Sequence, residues 1–412
     1  MLPQLVNLAR ARALMERAGA DALVAQLPIN VYYLTGDFGF LASTERFDAA
    51  NFAVLPRRDD QPAAYVLPSL ELRRLASEGG SWMPALHAYT SPLDEDAAAE
   101  AGRPYGGWPV RTGVPLTDRE RAWVEIVDRH RDRVAASALH ALARAAREAG
   151  LDRAHVITDD PRVGGWLEQQ GVRPASVRYD VSFFNEIRKI KTTPEIELMR
   201  VAARANEQAL LAAGDSLRDG AEWGEIETVY MTEMARRGAR GVYCICGVGG
   251  LPAGRVRRGE PVLLDALGQY RHYHGDFGRS AVLGEPSDEH QRRFRALRSG
   301  WDAIRPLLRP GTRYSELARV AIETVRGNGF PEFLYVTPHG LGLEHTDDPK
   351  PVGAQPGTKP DQVLEPGMVI NVDMPYTEIG WGSLHLEDTV LITADGHEPL
   401  TTAGLDLRCV PG

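Results

Sequence analysis

Asp265 and Asp276 stand 11 residues apart, on opposite arms of a predicted β-hairpin whose midpoint falls between Tyr270 and Arg271. In a symmetric hairpin with that midpoint the two carboxylates face each other on one side of the ladder, Cβ atoms about 5 Å apart. Carboxylates held at that range repel, so either one keeps its proton well above the usual range or a cation lies between them. Asp373 and Glu387 repeat the arrangement, 14 residues apart and symmetric about Gly380, with Asn371 on the Asp373 face. On the last strand Leu384, Leu386, Val390 and Ile392 mark the apolar side, which leaves His385 beside Glu387 on the other.

Between the hairpins, PHGLGLEHTDDP places His339 in a loop whose glycines allow close backbone approach to a ligand. One imidazole with four carboxylates is a hard, oxygen-rich donor set. It suits two divalent cations, manganese first, with cobalt, zinc or iron(II) as alternatives. Such a pair lowers the pKa of a shared water from 15.7 toward ~7, giving a nucleophile without serine or cysteine. A single Asp near a strand end is ordinarily a turn or edge residue; the mirrored pairs together with His339 favour the metal reading. His345 and His385 taken alone read as surface or supporting histidines, and His272 and His274 as supports of the Asp276 strand or solvated groups. Cys244 and Cys246, set among Val242, Tyr243 and Ile245, read as packed core.

The elements that must position these groups fall in two blocks. Residues 1–185 read as an α/β domain: a helix carrying Leu5, Leu8, Ala11 and Met15, then strand-like runs DALVAQ, NVYYLTG, NFAVLP and AAYVLP, a long helical stretch from Thr117 to Gly150, and HVITDD. Thr117 and Glu120 have the capping-box spacing. Residues 186–412 open at KTTPEIELMR, where Thr193 can cap a helix with Pro194 in its first turn. Helix, helix, hairpin then occurs twice, the second time from Asp288, which predicts an internally duplicated domain.

Composition narrows the function classes. Hydrophobic residues at 43% and charged residues at 25% are those of a globular chain. The net charge of −9, with no run of five like charges, disfavours nucleic-acid partners. No stretch reaches the ~20 apolar residues of a bilayer span, and the start, MLPQLVNLARARALMERAG, lacks the apolar core of a signal peptide. Three cysteines do not make a disulfide scaffold. The expectation is a cytoplasmic protein without membrane partners.

NVYYLTG, RKIKTTPEIELMR, LLDALGQYRHYHGDFGRS, PHGLGLE, EPGMVINVDMPY and LHLEDTVLITADGHEPLT, in that order, resemble the creatinase, prolidase and methionine aminopeptidase family along essentially the whole chain. The resemblance implies a creatinase-type N-terminal α/β domain followed by a pita-bread domain. It also implies metal ligands at Asp265, Asp276, His339, Asp373 and Glu387, and a homodimer. Asp373 stands where the family usually has Glu, Thr346 where it has His, and His385 where it has Arg. GVGGLPAGRVRRGEP lacks the histidine that peptidase members carry before the first hairpin.

The implied activity is a dinuclear hydrolase of the Xaa-Pro dipeptidase or aminopeptidase P type, taking a dipeptide or another small molecule. Asp373 would pass protons, and His345 and His385 would contact the substrate or its oxyanion. The altered residues keep a second reading open, a non-peptidase member such as a creatinase-like amidinohydrolase or a small-molecule lyase; a metal-free scaffold is the third.

Overall fold

The computed structural model describes residues 2–43, 50–90, 109–247, 254–350, 354–355 and 357–411. Part of the glycine-rich stretch GVGGLPAGRVRRGEP, residues 248–253, lies outside these. The chain forms two compact units, Met1–Ile187 and Arg188–Gly412.

The first unit comprises α1 (Leu8–Arg17), β1 (Ala22–Ala25), α2 (Pro28–Thr35), β2 (Phe52–Pro56), β3 (Ala64–Pro68), α3 (Leu72–Ser77), β4 (Ala85–Tyr89), α4 (Asp118–His130), α5 (Ala138–Glu148), β5 (His155–Thr158), α6 (Val163–Gln169), β6 (Ser176–Tyr179) and α7 (Val181–Arg188). Its sheet runs β4-β3-β2-β1-β5-β6. Alanines of α5 and apolar residues of β1, β2, β3 and β5 form one core under it.

Two expectations fail in this unit. NVYYLTG is helix α2, not a strand. Residues 30–35 are buried on every side, so they carry no period that tells a helix from a strand. What decides is punctuation: Pro28 in the first turn and Gly36 in the left-handed conformation, φ 78°, at the end. Buried Asp159 fixes the entry by accepting the N–H groups of Gln26 (2.7 Å) and Leu27 (3.2 Å) and the Asn30 side chain (2.8 Å). The stretch from Thr117 to Gly150 is two helices, α4 and α5, because Ser137 caps a second start. The capping box of Thr117 and Glu120 is present.

The second unit comprises α8 (Thr193–Asp215), α9 (Trp223–Arg236), β7 (Arg240–Gly247), β8 (Pro261–Tyr270), β9 (Tyr273–Leu283), α10 (Asp288–Ile304), α11 (Tyr314–Gly327), β10 (Thr337–Gly340), β11 (Val369–Glu378), β12 (Gly382–Ile392), β13 (His397–Pro399) and β14 (Arg408–Val410). The cap of α8 is Thr192, one residue before the expected one, in a capping box with Glu195. The duplication is visible in the sheet order, β10-β11-β12-β9-β8-β7, where each half contributes three strands and the two hairpins meet at β12 and β9. Each half has its own core, α8 and α9 against β7, β8 and β9, and α10 and α11 against β10, β11 and β12. Gly275 lets α8 lie directly on β9: a Cβ there would fall on the backbone of Ala202 and Ala203.

The first hairpin turns at Arg271 and His272, both at positive φ, 46° and 68°, and not between Tyr270 and Arg271. The register shifts accordingly. Asp265 pairs with Gly278 and Asp276 with Leu267, so the two aspartates are diagonal neighbours on one face instead of directly opposed. The second hairpin has the expected register, Asp373 opposite Glu387.

Candidate metal centre

A single row crosses the second sheet. Asp373 of β11 pairs with Glu387 of β12, Glu387 pairs with Gly278 of β9, and Gly278 pairs with Asp265 of β8. Side chains alternate along a strand, so His385 and Asp276, two residues from Glu387 and Gly278, point to the same side as the row. His339 joins them from β10, where it pairs with Asn371. Five strands thus bring together six of the seven residues singled out in the sequence, and His345 joins them from the loop that follows β10.

Two groups of three place donor atoms within 4.8 Å of one another: Asp276, His339 and His345, and Asp265, His385 and Glu387. Asp276 Oδ2 lies 3.2 Å from His345 Nε2 and 3.7 Å from His339 Nε2. His385 Nε2 lies 3.0 Å from Asp373 Oδ1 and 3.4 Å from Glu387 Oε2. Glu387, Asp276, His339 and His385 are buried, and His345 is 44% exposed at the rim.

Buried polar atoms are normally hydrogen-bonded. Here Asp265 Oδ1, both Asp276 oxygens, Asp373 Oδ1, Glu387 Oε2 and both His385 nitrogens are buried with no hydrogen-bond partner. Gly278 adds a void in the middle, since a Cβ there would lie 2.7 Å from Glu387 Oε2 and 2.8 Å from His385 Nε2. Orphaned carboxylate and imidazole atoms around a space that a methyl group would fill fit divalent cations, in donor chemistry and in room.

The electrostatics have the same origin. Burial, reinforced by Asp276 and Asp373, pushes Asp265 up to about 7. Burial and then Asp276, Asp265 and Asp373 push Glu387 far above the usual carboxylate range. For His385 burial pulls the imidazole down, yet contact with Asp373 and the charges of Asp265 and Asp276 outweigh it and hold the ring above its ordinary value. His345 is raised against its own burial by Asp276, and His339 is lowered by burial. Crowded negative charge demands protons or cations.

Several supporting residues carry no signal in the sequence. The loop after His339 is fastened by Asp348, which accepts the Gly340 N–H (2.7 Å) and the Tyr314 hydroxyl (3.1 Å). Beside it, Asp347 accepts from Arg188 at 2.6 Å, and both side chains are 1% exposed. His274 resolves as a support: Gln269 donates to its Nε2 (2.7 Å), which leaves Nδ1–H to donate to the Gly342 carbonyl (3.0 Å). Where the two halves meet, side chains lace β9 to β12. Ser280 Oγ accepts the His385 N–H and donates to the His385 carbonyl, both 2.7 Å. Arg279 donates to the Glu387 carbonyl (2.7 Å), and Thr389 Oγ donates to the Asp276 carbonyl (2.8 Å). A lone Ser or Thr in a strand is too common to mark such a role.

A duplicated helix–helix–hairpin unit thus presents a face of converging carboxylates and imidazoles with the donor set of a divalent-metal site. Residues 197–394 match the model of Metallopeptidase family M24, and residues 7–157 match the Creatinase/Prolidase N-terminal domain. The chain belongs to this metallopeptidase family and carries both of its domains.

It is 28% identical over 233 residues to an Xaa-Pro dipeptidase of Pyrococcus furiosus, covering 54% of this chain and 66% of that one, just under two thirds of the relative's length. It is 26% identical over 417 residues to a probable dipeptidase PepE of Mycobacterium bovis, covering 98% of this chain and 96% of the relative. An Xaa-Pro dipeptidase of Bacillus anthracis shares the fold with a TM-score of 0.71 at 18% identity, covering 98% of this chain and 99% of that one. Among the described residues no helix is long and apolar enough to cross a membrane.

Proposed function

We propose that the chain is a dinuclear, divalent-metal-dependent hydrolase that cleaves the peptide bond of an Xaa-Pro dipeptide or the amide bond of a similar small molecule. The observation that carries this reading is the set of orphaned, buried donor atoms around Gly278. The names of the relatives supply the substrate class. Asp265, Asp276, His339 and Glu387 hold the cations, with Asp373 beside them. Bound cations of this kind supply Lewis-acid polarisation of a carbonyl and a water of lowered pKa.

The chain's own residues do the rest. Asp373, 25% exposed where Asp276 and Glu387 are buried, is a carboxylate that can exchange a proton with substrate. Burial raises its carboxyl, but contact with His385 outweighs that and keeps it below the ordinary range, so the group stands ionised. His345, at the rim with Nε2 on Asp276, faces the open side, where it can donate to the leaving amine. A homodimer completes the proposal, by analogy with the family.

The test is turnover of Xaa-Pro dipeptides by protein reconstituted with manganese or cobalt, together with elemental analysis. Two equivalents of metal and hydrolysis are the expected results; no bound metal overturns the reading. One observation favours a second substrate class: Thr346 and His385 replace family residues. Metal-loaded protein inert toward dipeptides but active on a small amidine or amide would select it.

A further inference from the structure

The residue that the proposed mechanism leaves without a task is also the most deeply placed imidazole of the centre. His385 is 1% exposed, and neither ring nitrogen has a hydrogen-bond partner. A buried imidazole with a structural role ordinarily donates from one nitrogen and accepts at the other. His385 Nδ1 has no partner and Nε2 has only its ion-pair contacts with Asp373 and Glu387; the hydrogen bonds at this position, both to Ser280, involve its backbone.

The ring points at carboxylates. Nε2 is 3.0 Å from Asp373 Oδ1 and 3.4 Å from Glu387 Oε2, and it forms with Asp265 and Glu387 one of the two groups whose donor atoms lie within 4.8 Å of one another. That group does not include Asp373. An aspartate is one methylene shorter than a glutamate, and from its place opposite Glu387 its carboxylate reaches the imidazole. The ring in turn projects to the centre of the row, where the missing side chain of Gly278 leaves room within 2.8 Å of Nε2.

We propose that His385 is a metal ligand, binding through Nε2 together with Asp265 and Glu387, with Asp373 Oδ1 lying beside that same nitrogen at 3.0 Å, on the metal side of the ring. The inference rests on the dinuclear reading and deepens it. The centre then carries an imidazole on each cation, His339 in one group and His385 in the other. A donor set richer in nitrogen favours cobalt, zinc or iron(II) over manganese.

The experiment is cobalt(II) titration of the whole chain, followed by calorimetry and visible and near-ultraviolet absorption, on the parent, on His385→Arg and on His385→Cys. The arginine variant keeps a cation beside Asp373 and Glu387, so a ring that acted only as an ion-pair partner would be replaced by it. The expected result is two cobalt ions for the parent, and for His385→Arg a second site weakened by more than about 100-fold, the upper end of what loss of a supporting partner alone costs. His385→Cys is expected to show a new thiolate-to-cobalt charge-transfer band. Two ions bound with parental affinity by His385→Arg, or no such band in cobalt-loaded His385→Cys, overturns the assignment and leaves the dinuclear reading standing. No cobalt bound by the parent overturns both. Circular dichroism on each variant shows that the comparison is made between folded chains.

Discussion

Gly278 lies directly opposite Glu387 in the sheet, and the hydrogen atom it carries in place of a side chain faces the Glu387 carboxylate, where a Cβ would come within 2.7 Å of Oε2. The smallest possible addition therefore acts on the metal centre. For Gly278→Ala we expect a folded protein with an unchanged circular dichroism spectrum that has lost at least one bound metal and most of its activity. A variant that keeps two metals and parental turnover contradicts the role given to this void.

Asp373 is assigned the proton transfer. Asp373→Ala should lower kcat by roughly 10²–10⁴-fold, the usual contribution of a general acid–base group, with a smaller effect on KM. Asp373→Glu restores the family residue at full length. It should stay active and shift metal preference, measured as relative turnover with manganese and cobalt.

The histidine loop is tied to the start of the second unit by the Arg188–Asp347 pair, with both partners 1% exposed. Removing Arg188 leaves buried Asp347 with Lys191, 3.5 Å away, as its remaining cation, so the cost is at most the about 3–5 kcal/mol of a fully broken buried pair. Arg188→Met should accordingly lower stability toward urea by up to that amount. Loss of metal affinity should accompany it, since His339 and His345 flank the loop that Asp347 anchors. A stability change within error would show the pair to be incidental.

Burial pushes Glu195, in the capping box of α8, up to about 7. Its ordinary value is 4.5, so between those two values the folded chain binds more protons than the unfolded one. Its contribution to stability is therefore fully present at low pH and is lost as pH rises toward about 7. Thermal unfolding across this window should show the parent losing stability relative to Glu195→Gln as pH increases. Parallel curves would remove Glu195 as the cause.

How much of this was legible follows from what kind of signal each feature leaves. Asp373 and Glu387 could be paired in advance because their spacing is centred on a glycine that does sit in the turn, Gly380. Asp265 and Asp276 have no such marker. Their turn is made by Arg271 and His272, residues with no turn signature, so the register came out displaced while the shared face, which depends only on alternation, was right. The α2 helix was misread as a strand because a segment buried all round loses its period. The Arg188–Asp347 contact spans 159 positions and Gly278 acts by what it lacks. Neither leaves a local trace.

The join between β9 and β12 has a consequence for how the enzyme can change. Elsewhere in the sheet neighbouring strands pair over at least three consecutive positions, whereas here the described pairing is one position, Glu387 with Gly278, and Arg279, Ser280 and Thr389 do the fastening. Ordinary ladders are locked at a spacing of about 4.8 Å by the peptide geometry itself. A joint held by side chains is not, so its width depends on residue choice. Asp265 and Asp276 ride on one flank of this joint and Asp373, His385 and Glu387 on the other, so exchanging a serine or threonine along it resets the gauge of the whole centre without disturbing a strand.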